Sequence, residues 1–144
     1  MNALERAKKI LHEKNYTFVL LKDSDIIISS HKKGLFPLME IIRKDGNTLN
    51  NAVVADKVIG KAAALLAAGF QVKALYADLI SQRAIEVLDQ YSVSYQYKEC
   101  VDSIQNRDKS GQCPIEKLTE DINDYQIAYH QILYYYKEVL KINL

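Results

Sequence analysis

Seven consecutive apolar residues, Ala62-Ala63-Ala64-Leu65-Leu66-Ala67-Ala68, stand near the middle of the chain. Alanine and leucine favour helix, and a helix that is apolar all round must be packed on several sides at once. The apolar stretch Ala62–Phe70 is far short of the ~20 residues that span a bilayer, so protein has to cover it. Its flanks say which protein. Asn51-Ala52-Val53-Val54-Ala55 reads as a short buried strand, Asp56 as the N-cap of a helix over Lys57–Ala68, and Gly69 with Phe70 as its stop. Val72–Ala77 reads as a strand, Ser81 as the cap of a helix through Tyr91, and Val93–Tyr97 as another strand. Connections this short between alternating strands and helices require parallel strands with the helices laid across them.

The rest of the chain adds to that core. Leu4, Ala7, Ile10 and Leu11 recur at helical spacing, which predicts a helix over 2–14. Tyr16–Leu21 and Ile26–Ile28, joined by Lys22-Asp23-Ser24-Asp25, read as a hairpin. Leu35–Arg43 reads as a short helix with Pro37 in its first turn. Beyond Lys98 come a polar loop, Asn106–Gln112, a short helix opened by Cys113-Pro114-Ile115-Glu116, and a last helix capped by Asn123 or Asp124 and running to about Lys141. The expected fold class is α/β: a three-layer sandwich around a five-stranded mixed sheet. The whole of 1–144 is one domain's length, a core over 1–123 followed by a tyrosine-rich helix over 124–144.

Composition narrows the partners. Nineteen basic residues against eighteen acidic ones give a net charge of +1, which argues against a nucleic-acid or anionic-membrane binder. Two cysteines, Cys100 and Cys113, make no disulfide framework. The N-terminal stretch is an amphipathic charged helix with no signal-peptide core, so the expected location is cytoplasmic.

The order of elements resembles the cytidine-deaminase-like superfamily and, more narrowly, an uncharacterised prokaryotic family of that fold. The resemblance rests on Ala52–Ala63 and on Asn106-Arg107-Asp108 through Cys113-Pro114-Ile115-Glu116, and covers roughly the first 130 residues. It implies a ligand pocket beside the second hairpin strand. Zinc deaminases carry a His or Cys two residues before a catalytic Glu at one helix start, and Pro-Cys-x-x-Cys at the next. Here those starts read Ala55-Asp56-Lys57-Val58 and Ser81-Gln82-Arg83-Ala84, with no Cys or His in either. The three histidines, His12, His31 and His130, fall on separate peripheral elements. No metal site and no cofactor is expected.

Several candidate residues remain. Asp56, Lys57 and Lys61 are expected at the carboxyl end of a parallel strand, where open α/β sheets place ligands, with free helix-start N–H groups for an anion. In that reading Asp56 serves as base and the lysines hold the anion; in the plain reading Asp56 is a cap and the lysines are solvated. Cys113, before Pro114 at a helix start, is a candidate nucleophile, since a helix's positive end favours a thiolate. The same residues serve equally as a helix start in which Glu116 reaches back to cap. Asn106, Arg107 and Asp108 form a polar cluster in which Arg107 offers a bidentate fork to a carboxylate or phosphate; loop turns explain Asn106 and Asp108 as well. Ser30, at the end of the hairpin, is a candidate hydrogen-bond donor. Tyr125, Tyr129, Ile132 and Tyr136 form one stripe of the last helix, a core face. Tyr134 and Tyr135 point elsewhere and are the expected contact of a homodimer. Two functions follow: a zinc-free domain that binds a small anionic or nucleotide-like metabolite, with catalysis left open, or a non-catalytic sensor or scaffold that works through the last helix.

Overall fold

The structure, a computed structural model, describes residues 1–106 and 111–144. Five strands form one mixed sheet: β1 (Phe18–Lys22), β2 (Asp25–Ser30), β3 (Val53–Ile59), β4 (Ala74–Ser81) and β5 (Ser94–Val101), in the order β2-β1-β3-β4-β5. β1 runs antiparallel to both β2 and β3, whereas β3, β4 and β5 are parallel. Six α-helices lie among the described residues: α1 (Ala3–Glu13), α2 (Phe36–Asp45), α3 (Lys61–Gly69), α4 (Gln82–Gln90), α5 (Pro114–Thr119) and α6 (Tyr125–Tyr134).

The layers follow from strand alternation. Val19, Leu21, Val53, Ala55 and Tyr76 face α1 and close a small core with Leu4, Ala7 and Leu11. Phe18, Leu20, Val54, Leu75 and Ala77 face the other way, into the main core built on α2, α3, α4 and α6. Ala62–Ala68 of α3 is buried throughout, as an all-apolar run demands, and Lys61 before it is buried too rather than solvated. The three-layer arrangement and the mixed sheet are those expected. No helix among the described residues is long and apolar enough to cross a membrane.

Two boundaries differ from the sequence reading. The helix expected from Lys57 begins only at Lys61, with Gly60 as its N-cap (φ −100°, ψ −173°). The β-branched pair Val58-Ile59 carries β3 onward instead, paired with Leu79 and Ile80 of β4. Asp56 and Lys57 are therefore strand residues, and neither caps a helix. The stop falls where it was expected, with α3 ending at Gly69 and Phe70 as its C-cap, and Gln71 takes the positive φ of 68°. A Cβ on Gly69 would stand 2.1 Å from Cγ of Tyr125, so this glycine lets α6 close on α3.

The second difference is at the carboxyl end. Asp124 caps α6 by accepting from the N–H groups of Gln126 and Ile127. The regular helix then gives way at Tyr135 to one wider turn, in which the Leu140 N–H donates to the Tyr135 carbonyl at 3.0 Å. Ala128, Ile132 and Tyr136 are buried, with Tyr125 and Tyr129 half-covered beside them. The two tyrosines expected to form one contact separate: Tyr134 is 64% exposed, whereas Tyr135 is half-buried.

Candidate functional site

At the carboxyl end of β3 the chain opens a cavity of about 640 Å³, within the size range of small-molecule sites. Val58 and Gly60 floor it, Leu35 and Phe36 form one side, and Ile104, Cys113 and Ile115 form another. Tyr135, Tyr136, Leu140 and Ile142, all from the wider turn and the tail after it, close the remaining wall. The tail is held there because the Ile142 N–H donates to the Tyr136 carbonyl at 2.8 Å, with Lys141 left-handed between them at φ 56°. Tyr136 meets Phe36 edge-on at 6.1 Å. Burial pushes its phenol up to about 12, so it stays protonated. Lys32 and Lys33 stand at the rim. Lys32 lies 4.9 Å from the centre of the Phe36 ring and pairs with Glu40 at 3.0 Å.

Behind this cavity lies the α3 start that the sequence offered to an external anion. The chain's own carboxylate fills it: the Lys61 N–H donates to Glu116 Oε1 at 2.6 Å and the Ala62 N–H to Oε2 at 3.1 Å. Two unpaired helix-start donors are thereby satisfied by a negative charge where the helix dipole favours one. Glu116 does not reach back within its own helix, as the sequence suggested. Gly60 makes the approach feasible, because a Cβ there would lie 2.2 Å from Oε1. Burial raises the Glu116 carboxyl above its ordinary range, although the two N–H groups and the Lys61 ammonium pull it down.

The other end of α5 is held as well. The Glu120 carbonyl accepts from Lys61 Nζ at 2.7 Å and from Arg83 Nη1 at 3.0 Å. Burial, then the neighbouring Arg83 charge, lowers the Lys61 ammonium. These groups border a smaller cavity of about 280 Å³, which shares Ile104 and Glu116 with the large one. α5 is thus a bolt shot between α3 and α4, and Glu116 stands at the partition.

The expected site residues divide. Asn106, Cys113 and Glu116 meet at the large cavity, and Lys61 adjoins it through the smaller one. Asp56 lies inside β3 at 8% exposure and lines neither cavity. It accepts from the Val58 N–H at 3.3 Å, and burial pushes its carboxyl up to about 8. Lys57 reaches the other way and donates to Asn15 Oδ1 at 2.8 Å. Ser30 borders a separate depression with Glu40 and Lys44, where its Oγ accepts from the Lys32 N–H. Arg107 and Asp108 lie outside the described residues. Cys100 is exposed on β5, whereas Cys113 is half-buried.

Val58, Gly60, Arg83 and the aromatic walls escaped the sequence reading. The available signal was the β-branched pair before Gly60, which argues for strand up to that glycine and a helix start after it. No three His, Cys, Asp or Glu side chains gather as metal ligands among the described residues.

Comparison with known proteins fits this architecture. No curated protein matches the sequence. The crystal structure of a DUF1893 family protein (TM1506) from Thermotoga maritima is similar over 92% of this chain and 90% of its own, with a TM-score of 0.84 at 28% identity. The family model for TM1506, a domain of unknown function (DUF1893), matches residues 6–134, and the chain belongs to that family.

Proposed function

We propose that this chain binds a small metabolite with a flat apolar body and an anionic group, on a cytidine-deaminase-like scaffold that works without zinc. The large cavity carries the reading: its walls are mainly aliphatic and aromatic, with Phe36, Tyr135 and Tyr136 available to pack on a ring. Because Glu116 already occupies the α3 start, the ligand's charge belongs at the rim, with Lys33 and with Lys32, which would exchange its Glu40 partner for the ligand, rather than with Lys57 or Lys61. The scaffold assignment rests on the strand order and on the helix starts after β3 and β4. In zinc deaminases such starts hold the metal ligands. Gly60-Lys61-Ala62 and Ser81-Gln82-Arg83 offer no thiolate or imidazole, so these residues do not fit zinc.

Glu116 positions the floor in this reading; with both oxygens held by backbone N–H groups, it is not the group that meets the ligand. Among the described residues of the cavity wall Cys113 is the one soft nucleophile, and it is assigned no bond-making step. Four of the wall residues lie beyond position 134, where the family match ends, so ligand choice is set in part by this chain's own tail.

The test is ligand-dependent thermal stabilisation with a panel of nucleotides and aromatic carboxylates, beside Val58→Trp. Val58 is 42% exposed and faces the cavity, so the larger ring fills the space without opening the core. At least one compound should stabilise the native chain and not the variant. Equal stabilisation of both, or no stabilisation by any ring-bearing anion, overturns the proposal.

A further inference from the structure

We propose that two copies of this chain pair through β5, antiparallel and centred on Tyr97, to join two five-stranded sheets into one of ten. β5 is an edge strand of eight residues. It keeps one unbroken register with β4 from Ala74↔Ser94 to Ser81↔Val101. Its sequence, Ser-Tyr-Gln-Tyr-Lys-Glu-Cys-Val, contains no proline or glycine. Six of its eight residues are exposed and the other two half-covered. Among the described residues, no segment other than β4 hydrogen-bonds to its backbone. Such an edge presents a row of unpaired donors and acceptors to another strand. The opposite edge is blunted: the β1–β2 register slips between Leu20 and Leu21, and Arg6 covers the Ser24 carbonyl at its turn.

Side chains select the occupant and the register. Antiparallel pairing of identical strands about a two-fold axis puts one residue opposite its own copy, and its neighbours follow by symmetry. Centring on Lys98 opposes two ammonium groups, and centring on Glu99 opposes two carboxylates; both are destabilising. Centring on Tyr97 keeps nearly the full overlap and opposes no like charges. Tyr95 then faces Glu99 of the partner subunit, Gln96 faces the partner subunit's Lys98, and Ser94 faces the partner subunit's Cys100. Tyr95 and Tyr97 already lie parallel, 6.4 Å apart and 18° between planes. Tyr95 is fixed by donating its hydroxyl hydrogen to Asp89 at 2.8 Å. Doubling this pair across the axis makes a row of four rings whose side-chain order is partly established before association.

The test is sedimentation velocity on the full chain over roughly a hundredfold range of micromolar concentrations, with Tyr97→Lys, Tyr134→Ser and Ser94→Cys. The native chain should reach twice its mass of 16.4 kDa. Tyr97→Lys places two cations on the axis and should weaken the dimer at least tenfold; Tyr97 is 45% exposed, so unchanged circular dichroism checks that the variant folds. Tyr134→Ser should leave association unchanged. Ser94→Cys should form an intermolecular disulfide with Cys100 under mild oxidation, because directly opposed residues have the Cα spacing a disulfide needs. A monomer throughout the range overturns the proposal. A dimer that Tyr97→Lys leaves intact, a dimer lost in Tyr134→Ser, or a dimer without the Ser94→Cys cross-link overturns it too.

Discussion

Asp56→Asn should make the chain more stable at neutral pH and leave it unchanged near pH 4. Asp56 sits within β3, and its carboxyl is pushed up to about 8 by burial and by the nearby Asp78 charge, against the pull of the Val58 and Lys57 N–H groups. In the unfolded chain the same carboxyl titrates near 3.9. Between those two values the folded state holds a proton that the unfolded state has released, so stability falls as pH rises. Each unit corresponds to about 1.4 kcal/mol, so going from about pH 4 to about pH 7 removes on the order of 4 kcal/mol. Asparagine keeps the acceptor for the Val58 N–H and has no proton to lose. Urea unfolding of both proteins at intervals across that range isolates Asp56 and the Asp78 charge coupled to it, because the remaining titrating groups cancel in the difference. The difference should open steadily in favour of the variant as pH rises. A flat difference, or a native chain that gains on the variant toward neutrality, refutes the buried neutral acid. The outcome bears on chemistry as well, since a carboxyl still protonated at pH 7 is no general base.

Gly60→Ala should cost about 2–4 kcal/mol in unfolding free energy by driving Glu116 off two N–H groups; most of that cost should vanish in a Glu116→Ala background, and equal costs in both backgrounds would contradict the contact. Timed alkylation near pH 7 with peptide mapping should label Cys100 on its exposed strand before half-buried Cys113. Labelling of Cys113 first would give the half-buried thiol an activation that its cover alone does not supply.

The sheet and its layers were legible because Ala62–Ala68 fixes a buried helix, and Val and Ile runs at short spacing leave few ways to surround it. The site was legible in part. Cys113, Asn106 and Glu116 come to one cavity since a loop after the last strand returns to the carboxyl edge. Asp56 and Lys57 were misplaced because Asp is a good cap in isolation, and propensity gives no weight to the β4 neighbours that extend β3 through Ile59. Glu116 could not be assigned to α3 from sequence, since 54 positions separate it from Ala62. The tyrosines of the tail were read from a 3.6-residue period that the wider turn at Tyr135 breaks.

The two-ended fixing of α5 has a consequence for motion. Full departure of α5 withdraws acceptors from Lys61 N–H, Ala62 N–H, Lys61 Nζ and Arg83 Nη1, two at each end of the helix. The two backbone amides stand in the first turn of α3, where no helix carbonyl precedes them. Their deuterium exchange should therefore report the opening equilibrium of the Glu116 end of α5, while the rest of α3 stays protected. Two amides on a buried helix thus become a gauge of how firmly the α5 wall of the cavity is seated, readable without any ligand in hand.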